Sequence, residues 1–316
     1  MRLLVFINSY IKRIGGGDTH FIEVIRCLDG FDKIVVTPLL GKKMCMDKGL
    51  DAKYLITTNE KHFKNIFLTY AKRIIMALNL KTKIYDEDIL YSSSDFLPDV
   101  LPVFVCKLKN KNIKWIALLH LIAPNPFYGY EQYYLKQKRV RVPTFNALSY
   151  KATQLLSIFL MKLKADRILT IKLEIINYLI KKGIDENKIS IVDNGINYSV
   201  IQNIKPLQKD MYDACFVGRF HPQKGIFDLI KIWELVCKQK KDAKLAVIGS
   251  GTKEFVDSVK DVIKKRQLEN NVNLMGFLDE EEKYKIMKSC KIFMFPSFYE
   301  SWGIVSAEAM ACGLPA

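Results

Sequence analysis

Short apolar runs and longer stretches of helical spacing take turns along this chain, and that alternation is the first fold signal. Residues 3–7 form an apolar run, then come Gly15, Gly16 and Gly17, and from Asp18 the apolar Phe21, Ile22, Val24, Ile25 and Leu28 fall at helical spacing. Further strand-like runs lie at 33–37, 89–91, 114–120, 167–170 and 188–192, with helical patterns at 69–80 and 173–182, the latter stopped by Gly183. The pattern predicts a parallel sheet covered on both faces.

From residue 213 the alternation becomes regular. Strands at 213–217, 244–248, 271–275 and 291–295 alternate with helices at 226–238, 254–266 and 280–289, which predicts a doubly wound unit. Residues 193–211 carry Asn194-Gly195 turn chemistry and Pro206 and read as a boundary region. The division is therefore 1–197 and 198–316. In open parallel sheets ligands bind beyond the carboxyl ends of the strands, so chemistry is expected in the strand-to-helix loops.

Composition sharpens this picture in two places. An apolar share of 49% in 316 residues supplies two cores and excludes a disordered chain. The net charge of +16 is uneven, because residues 101–164 hold eleven Lys/Arg against Glu131 alone. Seven scattered cysteines without a CxxC pair indicate neither a disulfide framework nor a zinc site, and a reducing cytoplasm fits. The apolar stretch 152–163 is far shorter than the roughly 20 residues of a membrane span. The start of the chain reads as a strand and not as a signal peptide.

Two loops concentrate candidate chemistry. Residues 217–225, VGRFHPQKG, place Arg219 and Lys224 between Gly218 and Gly225. Arginine forks onto phosphate oxygens, lysine adds a point charge, and glycine lets the backbone approach an anion. Residues 296–315, PSFYESWGIVSAEAMACGLP, run from a strand end through Glu300 into a helix from about Gly303. The helix start offers N–H groups to an anion. Glu308 is a carboxylate inside an otherwise small and apolar helix, suited to a polyol hydroxyl pair.

These two motifs, in this order, resemble the donor site of the retaining glycosyltransferases of GT-B fold, family four of the sequence-based classification (glycosyl transferases group 1). Gly15 to Gly17, His120 and the segment Val192 to Asn197 match more loosely, with Asp193 where the family usually has proline. The resemblance implies two Rossmann-like doubly wound domains facing across a cleft and a nucleotide-diphosphate sugar as donor, with no separate cofactor and no metal. It implies that Arg219 and Lys224 neutralise the diphosphate and that Glu308 binds the ribose. Glu300 with the N–H groups of Gly303, Ile304 and Val305 would hold sugar and phosphates. Phe277 and Leu278 would hold the base, Gly249 and Gly251 would line the pocket, Gly16 and Gly17 would close over the phosphates, and His120 would serve the sugar and acceptor. It also implies further elements beyond Ala316. The same motifs leave open an epimerase or phosphorylase of this fold and a non-catalytic sugar-nucleotide-binding protein.

His20, His62 and His221 show no clustering in the sequence, and Asp86-Glu87-Asp88 reads as an acidic surface run and not as a metal-binding DxD. In 124–164 the cations interleave with aromatic residues. Given the donor motifs, that composition suits an anionic membrane surface or anionic acceptor better than nucleic acid, which is not expected as a partner, and with the resemblance it points to a lipid-linked or saccharide acceptor at the cytoplasmic membrane face.

Overall fold

The computed structural model describes residues 1–11, 16–60, 65–80, 82–129, 142–300 and 302–316. They fall into two compact units, one of residues 1–129 and 142–195 and one of residues 196–316.

The first unit is a seven-stranded parallel sheet. Its strands are β1 (Arg2–Phe6), β2 (Asp32–Thr37), β3 (Lys53–Ile56), β4 (Ile89–Ser92), β5 (Lys114–Leu119), β6 (Arg167–Thr170) and β7 (Ile189–Ile191), in the order β3-β2-β1-β4-β5-β6-β7. The helices are α1 (Gly16–Arg26), α2 (Leu39–Asp47), α3 (Ile66–Leu78), α4 (Leu97–Lys109), α5 (Phe145–Lys164) and α6 (Leu173–Lys181). Leu3, Leu4, Val5 and Phe6 are all buried, as a strand covered on both faces requires.

Local chemistry accounts for where expectation and structure differ. The helix expected at 69–80 starts at Ile66 because the Asn65 side chain accepts hydrogen bonds from the N–H groups of Phe67 and Leu68. Helix α4 is absent from the sequence pattern because it contains Pro98 and Pro102. Pro98 occupies the first turn, where no N–H is needed, and Pro102 forgoes one bond in a helix packed against α3 and α5. The apolar stretch 152–163 is part of the 20-residue helix α5, and among the described residues no helix is long and apolar enough to cross a membrane.

The second unit is a four-stranded parallel sheet of order β10-β9-β8-β11, with β8 (Tyr212–Val217), β9 (Leu245–Ile248), β10 (Val272–Gly276) and β11 (Cys290–Phe293). Its helices are α7 (Tyr198–Asn203), α8 (Ile226–Gln239), α9 (Lys253–Lys265), α10 (Glu280–Lys288) and α11 (Ile304–Ala311). Alternate residues of β8 feed opposite cores. Ala214 and Phe216 join Trp233, Leu229 and Val259 of α8 and α9, while Cys215 joins Ile201, Met287 and Ala309 of α7, α10 and α11. Each large apolar side chain so buried contributes about 1.5–3 kcal/mol. The stretch 193–211, read as a boundary, contains α7, capped by the Asn197 side chain.

The sheet order creates the crevice. The chain leaves β8 outward through β9 and β10 and returns to the other side of β8 as β11. The loops after β8 and β11 therefore diverge at a topological switch point, where such sheets bind ligands.

Candidate functional site: the switch-point crevice of the second unit

The loop after β8 is fastened to its neighbours by backbone. Gly218 N–H donates to Ile248 O (3.0 Å), Phe220 N–H to Ser250 O (2.9 Å) and Gly249 N–H to Gly276 O (2.7 Å). The fit is tight. A Cβ on Gly249 would lie 1.9 Å from Gly218 O, and one on Gly251 would lie 2.8 Å from Phe220 O. Toward β11, Gly225 has φ +67°, and a Cβ there would lie 2.1 Å from Pro296 O. Only glycine lets these two loops meet.

That approach brings the charged motifs together. Phe298 N–H donates to Gln223 O (2.9 Å), and the Gln223 side-chain amide donates to Tyr299 O (2.5 Å). Lys224 Nζ donates to Glu300 Oε1, closing an ion pair between two half-buried side chains. Arg219 is exposed in the same loop. His221 turns its Nδ1 toward Gln223 N–H (3.2 Å), and burial, with the charges of Arg219 and Lys224, keeps its ring below the usual histidine range. Gly303, at φ +87°, turns the chain into α11, so the N–H groups of Ile304 and Val305 begin that helix.

Glu308 is 5% exposed, and both of its carboxylate oxygens are bonded within the unit. Lys283 Nζ donates to both carboxylate oxygens (2.9 and 2.8 Å), and the Tyr284 hydroxyl donates to Oε1 (2.8 Å). Lys283 and Tyr284 are partners of Glu308 that sequence reasoning missed, since no local signal joins α10 to a carboxylate on α11. Phe277 projects into solvent at 82% exposure, whereas Leu278 packs on the core beneath α10.

In the first unit, Gly16 and Gly17 open helix α1, and His120 follows β5. A Cβ on Gly17 would lie 3.3 Å from His120 Cε1. His20, read as unclustered, is in fact the neighbour of His120. The ring centroids are 5.2 Å apart and nearly perpendicular, because one helical turn carries residue 20 back over the start of α1 and onto the end of β5. Burial, reinforced by His20, pushes the His120 ring down to about 3, so it is neutral near pH 7. Gly15 and His62 lie outside the described residues.

Two further expectations need correction. Asp88 is not on an acidic surface but buried, held by Arg2 Nε (2.9 Å) and Nη2 (2.5 Å), while Asp86 accepts from the amides of Asn110 and Asn112. Not all of the described cations of 101–164 lie on the surface. Lys107 is buried, donating to Ile113 O (2.6 Å) and Asp166 Oδ2 (2.8 Å), and Lys136, Lys138, Arg139 and Arg141 lie outside the described residues. Among the described residues no group of three or more His, Cys, Asp or Glu is gathered to hold a metal ion.

Residues 199–316 match the family model described as glycosyl transferases group 1. An uncharacterized glycosyltransferase of Methanocaldococcus jannaschii is 25% identical across 99% of this chain and 79% of its own length. The gpi3 subunit of the phosphatidylinositol N-acetylglucosaminyltransferase of Schizosaccharomyces pombe is 25% identical over 44% of this chain and 30% of its own. Anabaena HepE, solved in complex with UDP and glucose, superposes over 100% of this chain and 79% of its own with a TM-score of 0.69 at 16% identity. The parallel-sheet architecture is that of the GT-B fold, and residues 199–316 carry the match to the glycosyl transferases of group 1.

Proposed function

We propose that this glycosyltransferase is a retaining hexosyltransferase that moves a sugar from a nucleotide-diphosphate sugar to a saccharide or lipid-linked acceptor at the cytoplasmic face of a membrane. The observation that carries the donor assignment is the meeting of two loops at the switch point, with Lys224 on Glu300 and Arg219 in the same loop. Departure of the sugar leaves a diphosphate anion and an oxocarbenium-like ring. Preorganised cations at the leaving group are where stabilisation is greatest. Arg219, Lys224 and the first N–H groups of α11 take the diphosphate, Glu300 accepts from sugar hydroxyls, and Glu308 accepts from the ribose. Phe277 and Leu278 meet the base, and the turns at Gly218, Gly249 and Gly251 give the nucleotide room. In the first unit Gly16 and Gly17 are assigned to phosphate and His120, as a neutral ring, to a sugar hydroxyl. Same-face attack, with the departing phosphate taking the acceptor's proton, retains configuration without a carboxylate nucleophile. The UDP and glucose bound by HepE and the phosphatidylinositol of the yeast relative's name favour a nucleotide sugar and a lipid-linked acceptor.

Helix α5 supports the membrane assignment. Its Phe145, Leu148, Leu155, Leu156, Phe159 and Leu163 are exposed and recur at helical spacing, and the Phe145 ring touches Phe67 of α3 at 5.3 Å. An apolar stripe beside the exposed Lys162 and the half-buried Lys151 and Lys164 suits the interface of an anionic bilayer.

The test is product analysis with a panel of nucleotide sugars, with and without acceptor, using the wild type, Lys224→Ala and Glu300→Ala. Transfer with retained anomeric configuration, lost in both variants, is expected, and unchanged turnover in either variant sinks the assignment. Conversion of donor without acceptor would favour the epimerase reading. Sedimentation with anionic and neutral vesicles tests the surface, and equal binding to both removes it.

A further inference from the structure

Glu308 lies one turn into α11 with almost no exposure, and a carboxylate so buried needs partners for its charge and lone pairs. Two consecutive residues of α10 supply them. Lys283 Nζ bridges both oxygens, at 2.9 and 2.8 Å, and Tyr284 Oη donates to Oε1 at 2.8 Å. The ammonium is itself fixed, because it also sits 4.3 Å from the centre of the Tyr284 ring. The carboxylate is thus gripped at three points by one rigid element.

The count of bonds has a consequence for selectivity. A carboxylate oxygen accepts about two hydrogen bonds. Oε1 already has two, from Lys283 and Tyr284, whereas Oε2 has one, from Lys283. We infer that Lys283 and Tyr284 are positioning residues that fill Glu308 Oε1 and present Oε2 to a single hydroxyl of the donor ribose, so that they set the preference for ribonucleotide over deoxyribonucleotide. The inference rests on the proposed assignment of Glu308 to the ribose and adds how that carboxylate is aimed. A carboxylate freed from the grip can turn, and its hydrogen bond to the ribose then competes with water.

The experiment first identifies which of UDP, GDP, CDP and ADP raises the melting temperature of the wild type most. That nucleotide and its 2′-deoxy and 3′-deoxy forms are then titrated calorimetrically. A hydrogen bond to a charged group is lost in one deoxy form, which should bind roughly 10- to 100-fold more weakly, while the other loses only a few-fold. Lys283→Met and Tyr284→Phe should shrink the larger ratio to about 3-fold or less, by weakening the ribonucleotide and leaving the discriminated deoxy form near its wild-type affinity. Lys283→Arg should restore most of the ratio. The deoxy form is the internal control, since a misfolded variant loses both ligands. If Glu308→Gln loses the ratio while Lys283→Met and Tyr284→Phe keep it, the positioning role is overturned. If Glu308→Gln keeps it too, or no nucleoside diphosphate binds, the ribose assignment itself falls.

Discussion

Gly249→Ala should damage the second unit far more than an ordinary loop substitution. Gly249 has φ +137°, a region that costs a residue with a side chain about 1–3 kcal/mol. The new Cβ would stand 1.9 Å from Gly218 O and 2.9 Å from Gly218 C, both backbone atoms that no rotamer change can move aside. Relieving that overlap displaces the loop after β8 and adds about 1–3 kcal/mol, as overpacking does elsewhere. The expected loss is about 2–6 kcal/mol, a large part of the roughly 5–15 kcal/mol that holds a domain folded. Gly276→Ala is the control. Its φ is +72° and nothing lies within 4 Å of a Cβ, so only the left-handed backbone is penalised, by about 1–2 kcal/mol. Hydrogen exchange on peptides covering 245–251 reads the local opening free energy unit by unit. Nucleotide affinity, measured alongside, should fall with Gly249→Ala because the same displacement carries Gly218 and Arg219. Equal loss of protection in the two variants would refute the packing argument.

Lys107→Met should destabilise the first unit. Breaking a buried ion pair costs about 3–5 kcal/mol, but Asp166 is a third exposed and keeps its bond from Trp115 N–H, so about 2 kcal/mol is expected by urea unfolding. The same variant should bind anionic vesicles like the wild type, because Lys107 does not reach the surface. The His120 ring should show no titration by NMR between pH 5 and 8. Its folded pKa lies below the unfolded value, so protonation of the unfolded chain should erode stability as pH falls from about 6.5 toward 3, and His120→Gln should flatten that slope in acid-unfolding curves.

Much of the fold is legible in the chain because its determinants are local. The run at 167–170 is a strand over the same residues, and the helix at 173–182 differs from α6 by one residue, since β-branched apolar runs and a Gly183 stop act within a few positions. Where a local rule misleads, as with prolines in α4, tertiary packing has outweighed it. The glycines and charges of 217–225 and 296–315 could likewise be read as phosphate chemistry from residue type and spacing.

Which charges meet could not be read that way. Lys224 and Glu300 are 76 residues apart and come together because β11 returns beside β8, and Glu308 is gripped by Lys283 and Tyr284 because α10 and α11 share one core. The same holds for His20 against His120 and for Lys107, one of eleven cations in its stretch, which is buried on Asp166. Sequence alone determined the alternation of strands and helices and the residue types at their ends. Sheet order and helix packing decided the partners, because a contact across the chain depends on where distant elements are placed and leaves no period or spacing to detect.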